Sequence, residues 1–433
     1  MMRDARPSRW QTCLIAACVT GAAASGRGDE FVLDYFPVPD GSRPHDVAPA
    51  PDSGVWYTAQ NLGALGWLDP DTGQTHHIPL GTGSRPHGVI VGPDGVPWIT
   101  DGGLNAIVRV DPNTEAVTPY PLPANRPNAN LNTATFDLSG VLWFTGQNGV
   151  YGRLDPSTGA MDVYDAPRGR GPYGITTTPG GDVYYASLAG DYIGWINLVT
   201  GAATVLEPPT SNQGARRVWS DSHGQIWVSE WDAGQVARYN PADGQWKEWP
   251  LPGSNPSAYA VYVDDEDIVW LSDFAGNSLV RFDPTSEQFD SFPLQSVPSN
   301  VRQILGRPGE VWGAESAADR LVVVRIVPDI LAGDYNGNGI VDAADYTVWR
   351  DTLDQTGTGL AADGDGDGEI TALDYDVWTM HIGEVSPGAG SGSAAHLAPG
   401  ESPGAKYAVP EPAALNLAVL VAVVGLTRRR RGR

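Results

Sequence analysis

The sequence predicts an all-β protein built on a seven-bladed β-propeller closed by its N-terminal strand, followed by a small α-helical module. Three observations lead there: an aromatic residue recurring about every 42 residues, turn chemistry between the recurrences, and a strand left over at the front of the repeat where one is missing at its end. The aromatic positions are Trp56, Trp98, Trp143, Tyr184, Trp227, Trp270 and Trp312, spaced by 42, 45, 41, 43, 43 and 42 residues. A second register carries an apolar or aromatic residue near proline, as in Tyr35-Phe36-Pro37, Ile78-Pro79, Tyr120-Pro121, Trp249-Pro250 and Phe292-Pro293. A third is a strand ending in a turn, as in Trp67-Leu68-Asp69-Pro70, Arg153-Leu154-Asp155-Pro156 and Arg281-Phe282-Asp283-Pro284. Proline presets the turn angle there, and a following glycine accepts positive φ. Four short strands per unit are the content of one propeller blade. The strand around Tyr35 precedes the first tryptophan, while the last unit ends at Leu321–Val327 without a fourth strand. The ring therefore closes if the first strand completes the last blade.

Length and composition agree. The 433 residues would by themselves suggest about three domains. Repetition turns most of that length into one ring over residues 30–328. The 53 glycines, 36 prolines and 15 tryptophans suit a turn-dense β protein. A net charge of −24 argues against a nucleic-acid partner, because that affinity rests on Lys and Arg displacing counterions from phosphates.

The two ends read as sorting signals. Arg3, Arg6 and Arg9 precede an apolar run that ends in small residues near Ala24, the order of a secretory signal over residues 1–26. Cys13 and Cys18, the only cysteines, fall inside it; Ile15-Ala16-Ala17-Cys18 also fits a lipoprotein pattern. Residues 385–408 read as a flexible linker. Residues 409–433 place Val409-Pro410-Glu411-Pro412 before an apolar run and Arg428–Arg431. That tail resembles the PEP-CTERM sorting signals, which implies an exosortase-type processing enzyme as a partner. A permanent anchor is the other reading, and either makes the C-terminal tail the one membrane contact. The chain is expected outside the cell or on its surface, with a monomeric propeller.

Chemistry is expected where the repeat departs from its own pattern. Eleven residues before the aromatic positions, at the start of each first strand, come His45, His87, Asn132, Tyr173, Arg216, Tyr259 and, one residue shifted, Arg302. Three residues after them, at the end of each second strand, come Ala59, Asp101, Gly146, Ser187, Glu230, Asp273 and Glu315. In a meandering blade both positions lie on one face, so the polar members gather round one mouth as a binding or catalytic ring. A solvated, structurally paired channel is the plainer alternative. His76, His77 and His223 fall in turn-like segments and read as solvated surface.

The units Arg85-Pro86-His87-Gly88-Val89, Trp98-Ile99-Thr100-Asp101 and Gly171-Pro172-Tyr173-Gly174-Ile175 resemble the repeats of the virginiamycin B (streptogramin B) lyase family. The resemblance implies a seven-bladed propeller and a Mg²⁺-assisted elimination that opens an ester of a cyclic depsipeptide. Carried onto this sequence, it implies His87 as acid/base, His45 as a substrate contact and Asp101 as the metal carboxylate. Tyr173, Arg216, Glu230, Tyr259, Asp273, Arg302 and Glu315 would line the substrate. Arg85 departs from the pattern by standing where the family has a metal-binding glutamate. The competing expectation is a non-catalytic surface propeller that binds a ligand or protein.

Residues 333–384 hold 12 acids against one base, almost half of the net charge. Asp334, Asn336, Asn338, Ile340 and Asp345 occupy positions 1, 3, 5, 7 and 12 of a calcium loop. Asp363, Asp365, Asp367, Glu369 and Asp374 repeat the pattern 29 residues later. Oxygen ligands at this spacing with glycine at position 6 fit Ca²⁺. With one helix after each loop, expected over Tyr346–Leu353 and Tyr375–Ile382, the module resembles a type I dockerin. That resemblance implies a cohesin-like partner.

Overall fold

The computed structural model describes residues 30–50, 54–327 and 331–385; the predicted signal segment and the C-terminal tail lie outside them. Seven four-stranded antiparallel sheets form the body. Their innermost strands are Pro44–Pro49, Pro86–Val91, Leu131–Phe136, Pro172–Thr177, Ala215–Ser220, Ala258–Val263 and Val301–Arg307. Each packs against the next and the last packs against the first, so the ring is closed. Six blades are simple meanders. The seventh runs Val301–Arg307, Glu310–Glu315, Arg320–Val327 and then Glu30–Pro37, which pairs antiparallel with Arg320–Val327 from Glu30↔Val327 to Pro37↔Arg320. The N-terminal strand thus supplies the missing outer strand, as the leftover register predicts.

The recurring aromatics lie on the second strands and are buried. They fill the wedges between neighbouring blades; Trp312, for example, packs with Val47, Tyr57 and Val323. Several indoles are also anchored by an acid from the turn just before their own strand. Trp143, Trp227 and Trp270 donate Nε1–H to Asp137, Asp221 and Asp264 at 2.8, 3.0 and 2.8 Å. A buried tryptophan needs such an acceptor, because an unpartnered indole N–H in the core is costly.

Every innermost strand breaks its pairing with the second strand at the same place. The register shifts fall between Pro44 and Val47, Pro86 and Gly88, Leu131 and Ala134, Pro172 and Ile175, Ala215 and Arg217, Ala258 and Val261, and Val301 and Ile304. A bulge re-aims a side chain and frees an amide from the ladder. In five of the seven blades a hydroxyl two residues past the aromatic picks up that amide. Thr58 Oγ1 accepts from Asp46 N at 3.0 Å and donates to His87 O of the next blade at 2.9 Å. Ser229 Oγ accepts from Arg217 N at 3.0 Å and donates to Tyr259 O at 2.7 Å. Thr100 makes the same bridge between Gly88 N and Asn132 O, and Thr145 between Thr133 N and Tyr173 O.

In the small module, helix α1 spans Ala343–Thr352 and α2 spans Ala372–His381, each starting three residues earlier than the sequence suggests. Asp342 and Thr371 are N-caps, and Asp345 and Asp374 return their carboxylates to the cap amides. These capping boxes draw the end of each loop into the helix. The two halves are cross-tied: Trp349 Nε1 donates to Thr371 O at 2.7 Å, and Trp378 Nε1 to Asp342 O at 2.8 Å. Among the described residues no helix is long and apolar enough to cross a membrane.

Thr58→Val keeps the side-chain shape but strands the Asp46 amide and the His87 carbonyl in a buried site. It should lower stability by about 1–3 kcal/mol, read as a reduced urea midpoint with an unchanged m-value.

Candidate functional site at the propeller mouth

The bulges carry the seven ring positions, so the departures from the repeat gather at one end of the axis. The His45 and His87 rings meet with centroids 3.8 Å apart. His45 Nδ1 bonds to Asp46 Oδ1 at 2.7 Å, which leaves Nε2 as the ring's proton acceptor. His87 is held at both nitrogens by Asn132, Nδ1 to the carbonyl at 3.1 Å and Nε2 to the side-chain amide at 3.3 Å. Across the axis the Tyr173 and Tyr259 hydroxyls share a short hydrogen bond. The Arg216 guanidinium lies 3.6 Å from the Tyr259 ring centroid and 4.5 Å from that of Trp231, and donates to Tyr173 Oη at 3.2 Å. Arg302 lies 5.6 Å from the Phe274 centroid and reaches Tyr259 Oη at 3.5 Å.

Sequence reasoning missed the layer beneath, at the position just after each ring residue. Arg217, 2% exposed, spans the axis to Asp46 at 3.2 and 3.3 Å and to Thr133 Oγ1 at 2.5 Å. Asp46 and Arg217 stand 171 positions apart. The available signal was polarity: four of the seven positions after the ring residues are Asp46, Thr133, Arg217 and Gln303, in a strand that otherwise buries apolar side chains. Trp231 and Phe274, one residue beyond the second-strand ends, were also missed.

The second-strand acids are used elsewhere. Asp101 accepts from the amides of Arg85, Gly103 and Leu104, each at 2.9 Å, and from the Ser84 hydroxyl. Asp273 takes Ser257 N at 2.8 Å and Ala275 N at 3.1 Å. Glu230 bonds Gln235 Nε2 at 2.6 Å, and Glu315 pairs with Arg320. These carboxylates tie loops together beside the ring. The structure thus brings His45, His87, Tyr173, Arg216, Tyr259 and Arg302 to the mouth, and it commits Asp101, Glu230, Asp273 and Glu315 to neighbouring turns and strands. His77 also differs from expectation: it sits in the outer strand Thr75–Pro79 and its Nε2 bonds Tyr57 Oη at 2.7 Å.

The implied Mg²⁺ does not fit this donor set. The one cluster of potential ligands at the mouth among the described residues is His45, Asp46 and His87. Mg²⁺ wants several hard oxygens, whereas this cluster offers two imidazoles and a carboxylate already paired with Arg217. Burial, then the charges of Arg302 and Arg217, lowers the His45 pKa well below its usual value; burial and His45 do the same to His87. Burial opposes ionisation of Tyr259, but Arg216, Arg217 and Arg302 outweigh it and hold that phenol below its usual range. Tyr173 is pushed up to about 12 by burial and by Tyr259.

Burial also pushes Glu230 up to about 8. Between its unperturbed value and 8 the native protein keeps a proton that the unfolded chain has lost, so this contribution falls as pH rises through that window. The histidines act oppositely, removing stability as pH drops below about 6.5, where the unfolded chain takes up protons the native site refuses. Glu230→Gln should therefore gain on the parent progressively from pH 5 to pH 9, read as the difference between their urea midpoints.

Comparison with known proteins fits this geometry. The family model described as the virginiamycin B lyase family matches residues 74–330, more than half of the chain, and the dockerin type I domain model matches residues 332–382. No curated protein matches by sequence. Among solved structures, a streptogramin B lyase is 23% identical with a TM-score of 0.64, the match covering 70% of this chain and all of that one. A catalytically inactive virginiamycin B lyase from Staphylococcus aureus with quinupristin is 20% identical, also at TM-score 0.64, over 69% of this chain and all of that one. Hydrazine synthase from Kuenenia stuttgartiensis shares the fold at 13% identity and TM-score 0.55, over 66% of this chain and 97% of that one. At such identities the structural likeness establishes the propeller and leaves the chemistry open. With the family model covering most of the blades, the chain belongs to the virginiamycin B lyase family.

Proposed function

We propose that the mouth is a carbon–oxygen lyase site that works without a divalent cation, on an ester substrate such as a cyclic depsipeptide. The observation that carries this reading is two neutral imidazoles in contact, tilted at 47° to each other, beside three guanidiniums and a single carboxylate. In such an elimination a base removes a proton from the carbon beside a carbonyl. The C–H electrons become a C=C bond, the ester C–O bond breaks, and its electron pair leaves on a carboxylate. His45 suits the base better than His87: Asp46 orients it through Nδ1 and leaves Nε2 to accept the proton, while Asn132 occupies both nitrogens of His87. Arg216 and Arg302 suit the departing carboxylate, the role the family's cation would otherwise fill. An anionic group between them would also lessen the field that depresses the His45 pKa, so binding would raise its basicity.

A second reading is binding without turnover, favoured by the half-buried Trp231 and Phe274, which frame the arginines as a platform for an anionic aromatic ligand. Incubation with a panel of cyclic depsipeptides and acidic esters, followed by absorbance of the new conjugated alkene, separates the two. Turnover should survive EDTA, fall at least a hundredfold in His45→Ala and show a raised KM in Arg302→Ala. Abolition by EDTA would refute the guanidinium role. Ligand binding lost in Arg302→Ala with no turnover of any ester would leave the binding reading.

Dockerin type I domains generally bind calcium and typically bind cohesins. We assign Ca²⁺ to Asp334, Asn336, Asn338, the Ile340 carbonyl and Asp345, and to Asp363, Asp365, Asp367, the Glu369 carbonyl and Asp374. Asp363, Asp365 and Asp374 offer oxygens within 4.8 Å of one another, and Asp363 Oδ1 is buried with no hydrogen-bond partner, as expected of a ligand atom. This module and the N-terminal signal together support export, with docking to a cohesin-like partner outside the cell. Calorimetry should detect Ca²⁺ uptake by the full chain and its loss when Asp334→Ala and Asp363→Ala are combined. Uptake unchanged by that pair would remove the assignment.

A further inference from the structure

Asp46 and Arg217 each follow a bulge, and each has its amide fixed by a second-strand hydroxyl, Thr58 Oγ1 and Ser229 Oγ, at 3.0 Å. The fourth blade carries Gly174 at the equivalent place. A Cβ there would stand 2.7 Å from Arg217 Cα, so glycine lets the Arg217 strand come in close. The Asp46 carboxylate receives His45 Nδ1 at 2.7 Å and Arg217 Nη2 at 3.2 and 3.3 Å. Thr133 Oγ1 takes Arg217 Nη1 at 2.5 Å and donates to Asn132 Oδ1 at 2.9 Å, so the third blade holds the guanidinium as well.

Asp46 and Arg217 are only 1% and 2% exposed. A carboxylate buried that deeply stays ionised only beside a cation. Burial raises the Asp46 pKa, and the Arg217 charge is the strongest influence opposing it. The other groups facing His45 are Arg43 on its own blade, Arg216 and Arg302 from the fifth and seventh, and the ring of His87. Glu315 on the neighbouring second strand is engaged by Arg320. Among the described residues, only His45 and Arg217 bond the Asp46 carboxylate.

Ionisation of Asp46 decides which His45 nitrogen is open. A carboxylate can only accept, so Nδ1 carries the hydrogen and Nε2 keeps its lone pair. Without Arg217 the buried His45–Asp46 pair would bear a net negative charge and take up a proton. On Asp46, that proton is donated to Nδ1 and the ring's own hydrogen moves to Nε2. On the ring, it makes an imidazolium. Either state closes Nε2.

We propose that Arg217 is a positioning residue: from across the axis it holds Asp46 as an acceptor and so keeps His45 Nε2 open to take a proton. Its consequence for turnover rests on His45 being the base of the proposed elimination.

Long-range ¹H–¹⁵N NMR of the full chain with ¹⁵N-labelled histidine reads this tautomer with no substrate present, His45 being assigned by the signal lost in His45→Gln. The parent should show His45 Nε2 unprotonated at neutral pH. Arg217→Gln should move it to the shift of a protonated nitrogen, while Arg217→Lys, which keeps the charge, should retain the parent pattern. Asp46→Asn combined with Arg217→Gln leaves no unpaired buried charge to unfold the protein, and it should no longer hold the Nδ1–H tautomer alone. With the cyclic depsipeptides of the panel, Arg217→Gln should lower kcat by roughly thirtyfold or more with KM within about twofold, and Arg217→Lys should recover most of that loss. A protonated Nε2 in the parent, a parent tautomer in folded Arg217→Gln or in the double variant, or Arg217→Lys losing the tautomer as fully as Arg217→Gln would each overturn the proposal. A parent that turns over no ester refutes the lyase reading, while the NMR still decides the role of Arg217.

Discussion

The structure depends on one repeated exchange of hydrogen bonds. Each innermost strand gives up part of its ladder to a bulge, and in most blades a threonine or serine on the second strand recovers the freed amide. Four of these hydroxyls also donate to the neighbouring blade. Bulges turn seven side chains toward the axis, and in four blades the hydroxyl that braces the bulge also fastens that blade to the next. A propeller has no central core of its own, so its axis holds its shape only as well as adjacent blades hold theirs. A site assembled from seven blades needs this bracing more than one built on a single sheet.

Charge at the axis is settled by crowding. Three guanidiniums converge where one carboxylate, Asp46, is available, and Asp46 is taken by the most buried of the three. Burial first, and the remaining positive field after it, hold both imidazoles well below their usual pKa, and the same field holds the Tyr259 phenol below its usual range against its burial. The aromatic rings beneath Arg216 and Arg302 partly offset that field through their π faces, at roughly 0.5–2 kcal/mol per contact. Such an interior favours anionic guests at one end, while the Asp46–Arg217 pair neutralises the other.

Much of this was legible in the sequence. The aromatic period and the Asp-Pro turns are demands each blade must meet by itself, so they recur and can be counted. The ring residues stood out because they break the recurrence. The threonine or serine two residues after five of the aromatics was equally regular but silent, since a hydroxyl in a strand has many uses until its bulge is known. For the acids at the second-strand ends, spacing gives a position on the face and not what the carboxylate meets; Asp101 accepts from three nearby amides. No local signal could join Asp46 to Arg217 across the ring. In the small module, Asp345 and Asp374 read as loop ligands alone, which hid their part in starting each helix early.

The closing strand has a mechanical meaning. The chain leaves the propeller from Arg320–Val327, a strand laddered on one side to Glu310–Glu315 and on the other to Glu30–Pro37. If the protein is held through its C-terminal module, tension enters the ring at a strand flanked on both sides instead of at a free edge. Peeling it away would require breaking two ladders together, so the residues that complete the circle also make it a firm point of attachment.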